Sequence, residues 1–280
     1  MQYDLHQRGR ASIEFLTDLR THSDRFEERT DARAASGSIN IELLPNDVVE
    51  LSEVLTPILE RDPEFRILRL CRDWTLEEHG DIAMRAFEEI RSEVEPELKK
   101  LSEGPAELTL NESLHPPEYW QDFEFHKSEG GWDGHEYMGF VHGELIHRRM
   151  VNPTFAGIIY AVRRSVAEKA AEFVQPETIL EVGCCSGQYT QGLAEVFPNA
   201  ELWACDLSAR QLEQAQRYAN EHDLNWHLFQ AAGENLGAEA DQFELVTSYA
   251  VFHELPAEAQ LAHLREYLRV LQPGGYAVVG

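Results

Sequence analysis

The last hundred residues alternate between short apolar runs and amphipathic segments, and this alternation limits the possible folds more than any other feature of the chain. Strand-length runs separated by helix-length segments predict a parallel sheet with helices on both faces. We therefore predict a doubly wound α/β fold for this part. The expected strands are 178–183, 201–206, 225–230, 243–249 and 275–280, and the expected helices are 188–197, 209–222 and 256–271.

The turn after the first of these strands indicates the kind of ligand. Residues 179–190 read ILEVGCCSGQYT, an apolar strand followed by a tight turn of small residues and the start of a helix. The dinucleotide pattern G-x-G-x-x-G fails because the chain has Cys185 and Gln188 at two of its glycine positions, and no Lys followed by Ser or Thr completes a P-loop. An NAD-linked enzyme is therefore disfavoured. A cofactor without a pyrophosphate has less need of the second glycine, which points to S-adenosyl-L-methionine.

Five segments in order resemble the class I methyltransferases. ILEVGCCSG is similar to the family's first motif, commonly E/D-x-G-x-G-x-G, with Cys185 where the middle glycine usually stands. The other segments are ELWACDLS (201–208), FQAAGENL (229–236), FELVTSYAVFHELP (243–256) and LQPGGYAVV (271–279). The resemblance covers about 175–280. It implies a Rossmann-like core that binds S-adenosyl-L-methionine and a transferase that moves its methyl group.

This resemblance assigns roles to residues of the first two strands. We expect Asp206 to accept both ribose hydroxyls, because a capping box of Ser208 and Gln211 leaves its carboxylate free for a ligand. Gly183 and Gly187 are expected to let the amides of the turn face the methionyl group. Glu181 is expected to orient the turn or to meet the ammonium group through water.

The adenine end departs from the family pattern. Family members often have an acid after the third strand that accepts from the adenine amino group, and this chain has Ala232 there. The amide of Gly233 and the carboxylate of Glu234 are the expected substitutes. The predicted cofactor-binding residues are Glu181, Gly183, Cys185, Gly187, Asp206, Leu207, Ala232, Gly233, Glu234 and Ser248.

Residues 1–150 predict a mainly helical domain before the core at 151–280, and we identify no family for it. Apolar residues crowd one side of a helix at 48–59 that is interrupted near Pro57, and 64–71 predicts a short strand. A capping box at 75–78 begins a second helix, whose core-facing stripe is Ala83, Phe87, Ile90, Val94 and Leu98. A third helix begins at Asn152-Pro153, with a stripe of Ile158, Ile159, Val162, Val166, Ala170 and Phe173.

Between 104 and 150, glycines and prolines break the regular pattern in a segment rich in aromatic residues. Such a loop either packs under itself or forms the wall of a binding site. We expect it to close a pocket for a small, apolar or flat organic acceptor, lined by Trp132, Tyr137 and Phe140. The aromatic residues of the segment are Tyr119, Trp120, Phe123, Phe125, Trp132, Tyr137 and Phe140.

Methyl transfer from a sulfonium is an in-line displacement, so the protein must align nucleophile and methyl group and exclude water. A base is needed only where the acceptor carries a proton, and histidine is the usual choice. The candidates are His253, His142, His126 and His147. No metal site is predicted, because HExxH is absent and a spacing of five places His142 and His147 on different faces of a helix.

The charge and the apolar content of the chain limit the kinds of partner that it can bind. Asp and Glu number 50 against 24 Lys and Arg, a formal net charge of -26, which repels nucleic acid and anionic membranes. No apolar run approaches a membrane span and the first residues do not resemble a secretory signal, so we expect a cytoplasmic protein with reduced cysteines. The helical domain is expected to act as a lid or as a homodimer surface.

Three departures from the family leave an alternative function open. Cys185 and Ala232 stand at family positions for cofactor binding, and the sequence stops at Gly280, where family members continue through a helix and a two-strand hairpin. We expect the natural product to be longer, because an uncovered strand of this kind favours aggregation. The same departures also fit a non-catalytic methyltransferase-like scaffold or cofactor sensor.

Overall fold

The computed structural model describes residues 3–33, 40, 43–121 and 125–280, and within them one six-stranded parallel sheet is flanked by helices. The strand order is β1-β4-β3-β2-β5-β6 and every pairing is parallel. This confirms the predicted doubly wound α/β class. The strands are β1 (Glu107–Thr109), β2 (Thr178–Val182), β3 (Glu201–Asp206), β4 (His227–Gln230), β5 (Phe243–Ser248) and β6 (Leu271–Val279).

Helices form the upstream part and cover the sheet. They are α1 (Gln7–Arg33), α2 (Val48–Leu59), α3 (Pro63–Lys100), α4 (Glu118–Gln121), α5 (Met138–Phe140), α6 (Asn152–Thr154), α7 (Ile159–Ala171), α8 (Gln188–Val196), α9 (Ala209–Glu221) and α10 (Ala257–Val270). A π-helical segment, Val141–Val151, joins α5 to α6, and 3₁₀ turns lie at Phe125–Lys127, Gly131–Asp133 and Phe252–Glu254. No helix among the described residues is both long enough and apolar enough to cross a membrane.

The strands and helices of the core agree with the sequence prediction to within a few residues. Central strands of a parallel sheet are covered on both faces, so their side chains are almost all apolar and the run is easy to recognise. Ile179, Leu180 and Leu245 are fully buried examples. The largest difference is in β6, which begins four residues before the predicted start at 275 because its first residues pair with Phe243.

An edge strand comes from the upstream part of the chain. In β1, Glu107, Leu108 and Thr109 pair with His227, Leu228 and Phe229 of β4. The side chain of Asn220 braces this edge, since its Oδ1 accepts from the amide of Ala106 at 2.9 Å and its Nδ2 donates to the carbonyl of Leu101 at 2.8 Å. The domain boundary near 150 stays a prediction, with residues 107–109 on its upstream side and in the core sheet.

The strand predicted at 64–71 is wrong, because these residues lie within the long helix α3. Asp62 begins that helix by accepting from the amide of Glu64 at 2.8 Å, and Pro63 occupies its first turn. Thr75 therefore lies inside the helix, where its hydroxyl donates to the carbonyl of Arg72 at 3.0 Å instead of capping a new one. The predicted stripe of α3 is confirmed: Ala83, Phe87, Ile90, Val94 and Leu98 are all buried.

Two other predicted helices differ in detail. Helix α2 continues through Pro57, and its apolar residues do not form a buried face. The third predicted helix starts at Ile159, because Ala156 and Gly157 adopt positive φ angles and separate α6 from α7. Most of its predicted stripe is not buried, and Ala167 and Ala170 provide the buried contacts of α7.

The loop predicted for 104–150 is helical in its last part. From Met138 the chain continues through α5, the π-helical segment and α6, and it packs against α1 and α3. Phe140 and Leu145 are fully buried in the core that these helices share with Phe87. The segment therefore spans from the upstream core to the edge of the sheet, where its other residues face a cavity.

Candidate active site

A cavity of about 400 Å³ lies where the carboxyl ends of the central strands meet the upstream helices. Open α/β sheets bind ligands at the carboxyl ends of their strands, at the point where the strand order reverses. Here the reversal falls between β2 and β5, and the residues that follow these strands, Gly183 and Val251, both line the cavity.

The turn after β2 needs residues that tolerate a left-handed backbone. Gly183 and Gly187 have φ angles of 77° and 85°, and a Cβ on Gly183 would lie 2.4 Å from Cγ2 of Val251. Cys185 also has a positive φ, 50°, which is costly for a residue with a side chain. This is where the family motif usually has a glycine.

The amides of this turn are used within the protein. The amide of Gly183 donates to the carbonyl of Cys205 at 2.8 Å, and that of Gly187 donates to the carbonyl of Cys184 at 2.9 Å. That the turn lets its amides face the methionyl group stays a prediction, although the amides of the two glycines themselves bond within the protein. Their hydrogen bonds fix the shape of the turn, and Gly183 and Cys185 form the floor of the cavity.

Asp206 lies at the carboxyl end of β3, lines the cavity and is 5% exposed. Its Oδ2 accepts from the amide of Cys185 at 2.8 Å and its Oδ1 from the amide of Ser208 at 2.9 Å. Ser208 caps α9 as predicted, by accepting from the amide of Gln211 at 3.2 Å. The carboxylate of Asp206, which was predicted to be free, already accepts from the amides of Cys185 and Ser208. Each oxygen retains a lone pair for a ligand hydroxyl. Burial raises the pKa of Asp206 to about 6, against the effect of the two amides.

Five predicted cofactor residues line the cavity and five do not. Glu181 lies beneath the turn at 1% exposure, where burial raises its pKa to about 8 and its Oε2 has no hydrogen-bond partner among the described residues. Ser248 is fully buried. Gly183, Cys185, Asp206, Leu207 and Gly233 line the cavity, and Glu181, Gly187, Ala232, Glu234 and Ser248 lie outside its lining.

A buried histidine, which sequence reasoning missed, forms part of the wall beside Gly233. His263 of α10 is 3% exposed and lines the cavity, and a Cβ on Gly233 would lie 2.2 Å from its ring. Its Nε2 is 3.3 Å from Oε2 of Glu234, whose Oε1 accepts from the hydroxyl of Tyr119 at 2.6 Å. Burial acts to raise the pKa of Glu234, but His263 and Tyr119 hold it below its usual range. The signal in the sequence was a histidine within the buried stripe of α10, beside Ala259 and Tyr267.

Another part of the cavity wall is a cluster of histidine and tryptophan rings, which we call the His–Trp cluster: His126, Trp132, His142 and His147. His126 and Trp132 stack with ring centroids 5.7 Å apart, and Trp132 lies 5.2 Å from His142. All four predicted histidines, including His253, line the cavity.

Two of the three aromatic residues predicted to line the pocket do not. Trp132 lines the cavity, whereas Tyr137 and Phe140 are buried in the upstream core beside Phe87. The helix that replaces the predicted loop explains this, since it turns these two side chains toward α3. Phe123 and the side chain of Phe125 lie outside the described residues.

Two histidines of the His–Trp cluster are neutral at physiological pH. Burial, reinforced by Arg163, lowers the pKa of His147 to about 3, and Nη2 of Arg163 donates to its Nε2 at 2.7 Å. Burial also lowers the pKa of His142 well below its usual range. Arg163, a cavity residue that the sequence did not reveal, lies over the ring of Tyr249, and its Nη1 has no hydrogen-bond partner among the described residues.

His126 differs from these two because a carboxylate lies beside it. Its Nε2 is 3.4 Å from Oε1 of Glu254, which also lies 2.9 Å from Nε2 of His253. The pKa of Glu254 lies below its usual range, and the main cause is its hydrogen bond with His126. The backbone of His126 has a φ of 54°, a left-handed conformation that persists only where surrounding contacts impose it.

No group of three or more His, Cys, Asp and Glu side chains within residues 3–33, 40, 43–121 and 125–280 is arranged to hold a metal ion. The Sγ atom of Cys185 lies beside the His–Trp cluster, 3.5 Å from Nδ1 of His142. Burial raises the pKa of the Cys185 thiol, so it is protonated and acts as a packing group.

Comparison with known proteins agrees with this geometry. Residues 179–275 match the family model of a methyltransferase domain. This region is a class I, S-adenosylmethionine-dependent methyltransferase domain. The chain is 34% identical, over 112 residues, to a malonyl-[acyl-carrier protein] O-methyltransferase of Paenibacillus sp. (strain JDR-2), and the alignment covers 39% of each protein.

The methyltransferase domain also resembles enzymes with other acceptors. A tRNA N(3)-methylcytidine methyltransferase of Schizosaccharomyces pombe is 32% identical over 109 residues, which cover 37% of this chain and 43% of that protein. The alignments thus span about two fifths of the length of these relatives. The methyltransferase domain is what they share with this chain.

Proposed function

We propose that the protein transfers the methyl group of S-adenosyl-L-methionine to a small organic acceptor, with His126 as the general base. The observation that carries this proposal is the continuity of the cavity, which runs from Gly183 and Asp206 at the strand ends to the His–Trp cluster. A cofactor at the first end and an acceptor at the second would meet inside one enclosed space.

The residues present fit the cofactor. Asp206 would accept the ribose hydroxyls, and Leu207 and Gly233 would contact the adenosyl group. The unpartnered Nη1 of Arg163 would hold the methionyl carboxylate, since a buried guanidinium donor without a partner is costly. When bound, S-adenosyl-L-methionine supplies the electrophilic methyl group, and the protein orients it and excludes water.

Two observations support a small acceptor. The upstream helices contribute Leu16 and Arg20 of α1 and Thr75 and His79 of α3 to the cavity wall, so the acceptor end is enclosed by the protein itself. The net charge of -26 also opposes binding of a nucleic acid such as the tRNA that the Schizosaccharomyces relative modifies.

His126 suits the role of base better than His142 and His147 do, and its side chain is less exposed than that of His253, which shares Glu254. A general base needs a pKa near the working pH, and the pKa values of His142 and His147 are too low for this. A carboxylate in the position of Glu254 stabilises the imidazolium that forms when a histidine takes a proton. His142 and His147 would instead position the acceptor as neutral hydrogen-bonding groups.

The test uses S-adenosyl-L-methionine labelled in the methyl group, incubated with the protein and three separated extracts: small molecules, RNA and protein. We expect label in the small-molecule extract. His126→Gln should lower that rate by about a hundredfold, which is typical of a lost general base, and leave binding of S-adenosylhomocysteine unchanged. His115→Gln, an exposed histidine of the same upstream segment, is the matched control and should retain the rate.

Label in the RNA or protein extract, or a normal rate in His126→Gln, would contradict the proposal. Binding of S-adenosylhomocysteine without label in any extract would favour the non-catalytic alternative. The observation that favours this alternative is the side chain of Cys185 in the turn after β2.

A further inference from the structure

A second cavity lies between helix α9 of the methyltransferase domain and the upstream helices. Its volume is about 370 Å³, within the range of cavities that hold small molecules. Charged and amide side chains from both parts of the chain line it: Arg217 and Gln214 from α9, and Glu144 and Arg148 from the π-helical segment. Neither the proposed methyl transfer nor the names of the relatives give this second cavity a role.

Arg217 is the cationic group of this cavity. It is 6% exposed, yet its Nε and Nη1 have no hydrogen-bond partner among the described residues. Glu213 is its ion-pair partner, but Nη2 and Oε2 are 3.6 Å apart, too far for a good hydrogen bond. A buried guanidinium stays charged, so Arg217 brings two unpartnered donor nitrogens to the wall of a cavity that an anion can fill.

Acceptor groups line the same cavity. Oε1 of Gln214, a residue that is 7% exposed, has no hydrogen-bond partner in the described parts of the chain. Glu144 is mostly buried and pairs with Arg148 at 3.2 Å, within its own helical segment. Glu221 adds a second carboxylate to the lining. The cavity therefore has guanidinium donors for a carboxylate and oxygen acceptors for an ammonium group.

We propose that this second cavity binds a small zwitterion of the α-amino-acid type. The ligand carboxylate accepts a charge-assisted hydrogen bond from an unpartnered N–H of Arg217, at Nε or at Nη1. The ammonium group faces Glu144 and Oε1 of Gln214, and the apolar residues of the lining are Leu98, Leu101 and Phe140. A zwitterion has no net charge, so the charge of -26 does not repel it as it would a free anion.

The π-helical segment would couple this ligand to the first cavity. Glu144 and Arg148 line the second cavity, while His142, Ile146 and His147 of the same segment line the first. Because both ligands would contact one rigid element, each should alter the affinity of the other by the same factor.

The experiment measures binding by titration calorimetry with three matched probes: L-leucine, 4-methylpentanoate, which lacks the ammonium group, and isopentylamine, which lacks the carboxylate. We expect L-leucine to bind saturably and at least tenfold more tightly than either of the others. Arg217→Gln and, separately, Glu144→Gln should each weaken L-leucine at least tenfold. Arg164→Gln, an exposed arginine that lines neither cavity, is the control and should bind like the unchanged protein.

The same titrations can overturn the proposal. Absence of saturable L-leucine binding, equal binding of 4-methylpentanoate, or unchanged binding in folded Arg217→Gln would each do so. Circular dichroism establishes that the variants fold, and Glu144→Gln, an isosteric change, supplies the test should Arg217→Gln not fold. The coupling fails if saturating L-leucine leaves the affinity for S-adenosylhomocysteine unchanged, a result that does not depend on turnover.

Discussion

The two ends of the first cavity are built in different ways. At the strand ends, main-chain amides hold Asp206 and the turn in place, and the buried acids Asp206 and Glu181 dominate the electrostatics. At the His–Trp cluster, ring contacts and the bond from Arg163 to His147 hold the side chains, and the carboxylate beside His126, that of Glu254, is less deeply buried. The backbone therefore holds the first end in place, whereas side-chain contacts hold the second.

The largest effect should come from the carboxylate at the strand ends. Asp206→Asn keeps the size of the side chain but loses two charge-assisted hydrogen bonds to the ribose, each worth about 1.5–3 kcal/mol. We expect at least a hundredfold loss of affinity for S-adenosylhomocysteine in calorimetry. Asp223→Asn, an exposed acid on the loop after α9, should bind normally. An affinity within threefold of the unchanged protein would remove Asp206 from the cofactor site.

The buried acid beneath the turn should affect stability. The pKa of Glu181 is about 8 in the folded protein, against an ordinary value of 4.5. Between pH 4.5 and pH 8 its carboxyl group is therefore protonated in the folded protein and ionised in the unfolded chain. Its contribution to stability is therefore full below pH 4.5 and is lost as pH rises through 8. Glu181→Gln should be about 2 kcal/mol more stable than the unchanged protein at pH 9, with much less difference at pH 5.

Urea unfolding at both pH values measures this difference. The exposed Glu177, just before β2, provides the control, and Glu177→Gln should follow the pH dependence of the unchanged protein. Parallel pH profiles for Glu181→Gln and the unchanged protein would show that this carboxyl group does not titrate as described.

A smaller effect should appear in the recognition of the purine ring of the cofactor. His263 lines the cavity beside Gly233, with Glu234 behind it, and its ring can distinguish an amino group from a carbonyl on a purine. We expect the unchanged protein to prefer S-adenosylhomocysteine over S-inosylhomocysteine about tenfold, and His263→Leu to reduce the preference below threefold. Tyr119→Phe, which removes the hydroxyl that holds Glu234, should have an intermediate preference. Equal discrimination in all three proteins would place the purine elsewhere.

The smallest effect concerns the strained turn. Cys185→Gly should stabilise the fold by about 0.5–1 kcal/mol, because glycine adopts a positive φ without steric cost. Cys184→Gly, at the adjacent buried position with no positive φ, should destabilise it. Chemical denaturation of the two variants compares them directly, and a loss of stability in both would mean that the Cys185 thiol packs more strongly than its backbone is strained.

The sequence predicted the core better than the upstream part for physical reasons. Buried parallel strands are continuous apolar runs, and the turn with Gly183 and Gly187 has a recognisable spacing. The residues 64–71 mix apolar and charged side chains in a way that fits one face of a long helix as well as a short strand. Arg163 and His263 belong to helices without a motif, so only the three-dimensional arrangement brings them to the cavity.

Strand β1 has a consequence for any attempt to divide this protein. A fragment beginning at residue 151 would contain the whole family match, yet it would lack the neighbour of β4 and the main-chain partners of Asn220. The unpaired amides and carbonyls of β4 would then be open to other chains, a known route to aggregation. During synthesis, the ribosome releases β1 long before β4, so β1 has no strand to pair with until more than a hundred further residues have been made.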